Sequence, residues 1–133
     1  LSLGTAAYKW TEVFATNSTI NTSDRRFKKN INDINYGLET VMQMRPVSYQ
    51  WKKEANGRTI NGFIAQEMER VVPEVVHISE VTPNANKPGT ESEYSELYGM
   101  RYTELIPVLT KAIQDQQALI EALTERIQAL EKK

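Results

Sequence analysis

The sequence contains no cysteine and a single histidine, His77. The first absence excludes a disulfide framework, a thiol nucleophile and thiolate zinc ligation, and the second excludes a multi-histidine metal site. No metal and no cofactor is therefore expected. An excess of charge of one sign is missing as well, since 16 Lys plus Arg face 17 Asp plus Glu for a net charge of -1. Nucleic acid is not an expected partner. No apolar run approaches the roughly 18 residues of a membrane span, and no basic-then-apolar leader opens the chain, so no membrane partner is expected either. What remains is 133 residues, 40% of them hydrophobic, enough for one modest core. Opening on Leu1 rather than Met, the chain is expected to be a piece of a longer protein.

Residues 1–22 carry no charge cluster and alternate through Tyr8, Trp10, Glu12 and Phe14, then Thr16, Ser18 and Ile20, a pattern that predicts strands. This segment reads as the end of a β-rich body. At Ser23-Asp24-Arg25-Arg26-Phe27-Lys28-Lys29-Asn30 the composition changes sharply, with four cations in five positions behind a Ser-Asp pair. Beyond it Leu38, Val41, Met42 and Met44 recur at helical spacing, with Asn35 as a candidate cap and Arg45-Pro46 as the stop. Val47, Tyr49 and Trp51 alternate with Ser48 and Gln50. With Thr59 to Ala65 across the Asn56-Gly57 turn they predict a hairpin. A short helix over Gln66 to Val72 ends at Pro73, Val75 to Ile78 returns as a strand, and residues 79–93 have the composition of an exposed loop. Met42, Met44 and Met68 read as core fillers, and Tyr94, Tyr98 and Tyr102 as packing residues.

The clearest periodic signal closes the chain. Ile106, Leu109, Ile113, Gln116, Ile120, Leu123, Ile127 and Leu130 are separated by steps of 3, 4, 3, 4, 3, 4 and 3, an a/d heptad register held over nearly four heptads. Thr103 is a candidate N-cap, and Pro107 falls in the first turn, where it is tolerated. Ile at a with Leu at d favours two parallel strands. Leu105, Ala112 and Leu119 at successive g positions widen the apolar stripe, however, and Gln116 places a polar side chain in a d layer. Three helices are expected on that ground. The fold class is α+β: a small mixed domain of short strands and helices followed by a long C-terminal coiled-coil helix, expected to form a homotrimer. The segments divide as 1–22, 23–102 and 103–133.

Without cysteine, a hydrolytic nucleophile has to be a hydroxyl, and Ser23 with Lys28 is the pair to examine. A lysine acts as general base only where burial or cationic neighbours leave its amine partly neutral. Arg25, Arg26 and Lys29 supply such neighbours. Read blandly, the same residues are a solvated basic stretch at a junction. Glu67, at the start of a short helix, reads as an acid that gains from the helix dipole.

Three blocks resemble one family. Ser23-Asp24-Arg25-Arg26-Phe27-Lys28-Lys29-Asn30-Ile31 is similar to the Ser-Asp-x-Arg-x-Lys-x-x-Ile motif of the C-terminal intramolecular chaperone domains of bacteriophage tailspikes and tail fibres, which are self-cleaving endopeptidases. Met44-Arg45-Pro46-Val47-Ser48-Tyr49-Gln50-Trp51 resembles that family's Arg-Pro-x-x-Tyr-x-Trp strand. Gly62-Phe63-Ile64-Ala65-Gln66-Glu67 with Pro73-Glu74-Val75-Val76 resembles its Gly-x-Ile-Ala-Gln-Glu…Pro-x-x-Val segment. The terminal Leu105-Ile106-Pro107-Val108-Leu109 leading into Ala112-Ile113 and the heptad helix is similar to that family as well, so the resemblance spans about residues 23 to 130.

The resemblance implies a chaperone that assembles three chains of a fibre in register and then releases itself. Ser23 would be the nucleophile and Lys28 its base, with Asp24, Arg26, Gln66 and Glu67 as supporting residues. The partners would be further copies of the chain and the upstream fibre segment, the product would be virion-associated, and assembly would take place in the host cytoplasm. Attack of Ser23 Oγ on the Thr22 carbonyl passes through a five-membered ring, whereas in the family the cut is associated with the Ser-Asp bond. The bond is expected to flank Ser23 and is otherwise open. The alternatives are a permanent, non-cleaving trimerisation and capping module, and a eukaryote-type use in which cleavage frees a membrane-anchored factor.

Overall fold

The computed structural model describes residues 3–5, 8–10, 12–17, 19–52, 57–80 and 95–133. The chain divides into two compact units. One comprises Leu1–Asp33 with Ser79–Leu97, and the other Ile34–Ile78 with Tyr98–Lys133. Most of the predicted loop 79–93, together with Ser18, Asn56 and Tyr94, lies outside the described residues.

The second unit holds the core. Helix α1 (Leu38–Val41) leads through a turn to strand β1 (Val47–Tyr49), which pairs antiparallel with β2 (Ile60–Gly62) in the register Val47 to Gly62, Ser48 to Asn61 and Tyr49 to Ile60. The hairpin is shorter than its alternation suggests. Trp51 falls beyond β1, where its ring meets Tyr49 edge-on at 5.3 Å, and the Thr59 to Ala65 run gives up its end to helix α2 (Ala65–Met68). A 3₁₀ turn at Pro73–Val75 opens strand β3 (Val76–Glu80), which forms a second two-stranded sheet with β4 (Glu96–Met100). Helix α3 (Leu105–Glu131) completes the chain, about 40 Å of helix at 1.5 Å per residue. The α+β class and the long terminal helix are thus as the sequence predicts.

Met68, Val72, Val75 and Leu105 are buried together, with Tyr36, Met44, Phe63, Val71, Val76 and Met100 packed around them. Val108 and Ala112 are buried as well. Full burial of each large apolar side chain contributes about 1.5–3 kcal/mol. Met42, read as a core filler, is instead 76% exposed, because α1 ends at Val41 and the following turn carries Met42 outward.

Several local predictions shift for identifiable reasons. Asn35 does not cap α1; Gly37 occupies the N-cap without a side-chain bond, and the cap comes from Asp115 on α3, whose carboxylate accepts the Leu38 N–H at 3.1 Å. Thr103 sits inside a 3₁₀ turn, Tyr102–Glu104, so Glu104 rather than Thr103 precedes α3. The described residues of 1–22 contain no strand. Alternation alone does not make one: a strand needs a hydrogen-bonded neighbour.

Helix α3 carries two distinct apolar faces. Leu105 and Ala112, at g positions, and Val108 are buried in the chain's own core, while Ile106, Leu109, Ile113, Ile120, Leu123, Ile127 and Leu130 along the a/d seam are all exposed. The g residues therefore do not simply widen the seam. Two of the three hold the helix to its own domain.

Candidate functional site

The basic stretch folds locally into a hook. Asp24, in extended conformation, caps a single 3₁₀ turn, Arg25–Phe27: its Oδ1 accepts the Arg26 N–H at 2.8 Å. The Arg26 guanidinium turns back on the same carboxylate, with Nε 3.1 Å from both oxygens and Nη2 2.7 Å from Oδ2. A short polar side chain that satisfies its own downstream backbone is what Asp is suited to do at such a start. The side-chain bond from Arg26, reinforced by the Arg26 backbone N–H, lowers the Asp24 pKa, and the same contact raises that of Arg26.

The turn reverses the chain so that Lys28 faces Ser23. Lys28 N–H bonds the Arg25 carbonyl at 3.1 Å, and Lys28 Nζ donates to Ser23 Oγ at 2.7 Å. Both side chains are exposed. Asn30 then takes a left-handed conformation, φ 52°, which Asn adopts more readily than most residues, and its carbonyl accepts Asn32 Nδ2 at 2.9 Å. Ser23, Asp24, Arg26 and Lys28 are thus brought together within six residues. Arg26 does not act as a free cationic neighbour of Lys28, because its charge is matched by Asp24.

Gln66 and Glu67 belong to the other unit. Gln66 is exposed on α2. Glu67, in the first turn of that helix, is gripped by Arg45, with Nε to Oε2 at 3.0 Å and Nη2 to Oε1 at 2.5 Å. That side-chain bond lowers the Glu67 pKa and raises the Arg45 pKa. A carboxylate engaged on both oxygens by a guanidinium is a structural tie rather than an available base. In sequence Arg45 stands as a helix-ending residue before Pro46 and within the Arg-Pro block, and neither place names Glu67, 22 residues on, as its partner.

Two further ties escape sequence inspection. The Tyr36 hydroxyl donates to both Glu74 oxygens at 3.0 Å, which raises the Tyr36 pKa. The Tyr102 hydroxyl accepts the Phe63 N–H at 3.0 Å while its ring lies 6.2 Å from that of Phe63. Tyr102 is thereby a packing residue, as its spacing predicts. His77 is exposed on β3, with Nδ1 3.4 Å from Arg101 Nη2.

Among the described residues no group of three or more His, Asp or Glu is placed to hold a metal ion. Among the same residues no helix is long and apolar enough to cross a membrane. No curated protein matches the chain. Over residues 23–77, the stretch that contains both the Ser23–Lys28 contact and the Arg45–Glu67 fork, the chain matches the family Peptidase_S74, chaperone of endosialidase, a match consistent with a C-terminal intramolecular chaperone domain of phage tail proteins.

Proposed function

We propose that this chain is an assembly chaperone of a phage fibre that trimerises through α3, sets the register of the segment preceding Ser23, and then frees itself by autoproteolysis beside Ser23. The observation that carries this reading is the 2.7 Å contact between Lys28 Nζ and Ser23 Oγ, held by the Asp24–Arg26 turn. With the lysine amine neutral, the same contact reverses its proton order and Ser23 Oγ–H donates to Nζ. Oγ then attacks an adjacent peptide carbonyl while its proton passes to Nζ. The tetrahedral intermediate collapses as that proton moves on to the departing amide nitrogen, and water hydrolyses the resulting ester.

Assembly is the natural trigger in this scheme. A lysine amine becomes a base near neutral pH when water is removed from around it. Ser23 and Lys28 are exposed in the single chain, so we assign that desolvation to packing between copies. Cleavage then follows registration, and removing the clamp leaves the fibre trapped by its unfolding barrier.

Exposure of the pair also favours a second reading, a permanent trimerisation and capping module that does not cut. The two separate on intact-mass measurement after prolonged incubation. Autoproteolysis predicts two fragments from the wild type, none from Ser23→Ala or Lys28→Ala, and an undiminished oligomer in both variants. A single full-length mass in all three leaves the capping module. The upstream partner, the virion association and assembly in the host cytoplasm are part of the same proposal.

A further inference from the structure

The hook that brings Lys28 to Ser23 has no core. None of Arg25–Phe27 is buried, and Ser23, Lys28 and Asn30 are all exposed, so packing does not hold its shape. A lysine on its four-carbon stem has many rotamers open to it in water, and a 2.7 Å contact from its end depends on how firmly the backbone beneath it is set. Upstream, that backbone is set by Asp24, which caps the turn through the Arg26 N–H, and by the Lys28 N–H on the Arg25 carbonyl at 3.1 Å.

Downstream, the same task falls to Asn30. Lys28 is extended, with φ -108° and ψ 143°, and two residues later the chain enters the left-handed region at Asn30, φ 52°. Among the described residues no other non-glycine residue has a positive φ. An L-residue takes that conformation against a clash between its Cβ and the following carbonyl oxygen. Asn takes it more readily than most, Gly freely, and a β-branched residue least of all. Asn32 then closes the turn by donating from Nδ2 to the Asn30 carbonyl at 2.9 Å. Lys28 thus lies between two ties from side chain to backbone, Asp24 to Arg26 before it and Asn32 to Asn30 after it. A sparsely populated φ at an exposed position, two residues from a general base, serves no packing need and points to the geometry of the pair itself.

We infer that Asn30 is a positioning residue of the Ser23–Lys28 pair: its left-handed backbone, tied by Asn32, sets the downstream end of the segment that presents Lys28 Nζ to Ser23 Oγ. The inference rests on the autoproteolysis proposed above and adds to it a residue that acts through the backbone rather than on the reacting groups.

The test follows intact mass over time in the full chain, with thermal melting of each variant alongside. Asn30→Val, which resists positive φ, is expected to slow cleavage by about 100-fold, the scale of a small misplacement of reacting groups. Asn30→Gly has no side chain at all yet accepts the conformation, and it is expected to cut within a few-fold of the wild type. Asn32→Ala should fall between the two, and all three variants should melt with the wild type, since the buried residues lie elsewhere. Cleavage of Asn30→Val at the wild-type rate, or of Asn30→Gly as slowly as Asn30→Val, overturns the role of the backbone at Asn30 and leaves autoproteolysis standing. So does a melting temperature that falls in step with the rate, which would make Asn30 a residue of stability alone. A single full-length mass from the wild type itself overturns both.

Discussion

Arg45 and Glu67, 22 residues apart, meet fork to fork at 3.0 Å and 2.5 Å and so tie the turn before β1 to the first turn of α2. Arg45→Lys keeps the charge and loses the planar second bond. It is expected to destabilise the domain nearly as much as Arg45→Ala, and the Arg45→Ala/Glu67→Ala double variant less than the sum of the singles. Denaturant unfolding of the four proteins checks the coupling.

Acid should dissolve the same tie. Arg45 lowers the Glu67 pKa, so the contribution is present above the ordinary carboxylate range and is lost as the pH falls through the depressed folded value. The stability gap between wild type and Glu67→Gln should therefore be full near neutrality and close below about pH 4. A gap that persists into strong acid would show that the charged fork is not its cause.

Gly37 and Asp115 form a second coupled pair. A Cβ at position 37 would run into the Asp115 carboxylate, which caps α1 through Leu38 N–H and pairs with Lys111. Gly37→Ala is expected to loosen α1 by displacing that cap, and to cost little more once Asp115→Ala has removed it. Hydrogen exchange of the Leu38–Val41 amides in the two singles and the double variant reads the effect locally.

Asp24 and Arg26 position the proposed dyad without belonging to it. Asp24→Ala leaves nucleophile and base in place but removes the turn's cap. A loss of alignment of this kind is worth about 100-fold in rate. Measured by intact mass over time, cleavage should slow by that order rather than stop, in contrast with Ser23→Ala.

Fold and assembly should separate along α3. Met68→Ala, at a side chain 1% exposed, is expected to cost about 2–5 kcal/mol of domain stability. Ile113→Ala, at a position 66% exposed, should leave the domain's unfolding midpoint nearly unchanged and weaken self-association by sedimentation.

What was legible in the sequence is what is local. The heptad steps predict α3, and all eight seam residues fall inside Leu105–Glu131, because helix periodicity depends only on neighbours three and four positions away. Ser23 and Lys28 are five residues apart with a capping Asp between them, so their meeting is equally local. The caps failed for the opposite reason. The group that serves α1 is Asp115, 77 positions downstream, and no nearby residue advertises it. Likewise Leu105 and Ala112 look in sequence like additional seam, since an apolar side chain does not say which of two partners it will meet. Alternation in residues 1–22 states which side chains would share a face and supplies no strand to pair with.

The compactness of the hook has an outcome for the fragments themselves. Should the bond after Ser23 be the one that breaks, hydroxyl and amine leave on different polypeptides, and the catalyst is spent by its first event. Should the bond before Ser23 break, both depart together on the downstream piece, and the proposed dyad leaves with its hydroxyl and its amine on one polypeptide. The choice of bond thus decides whether release is also disarmament.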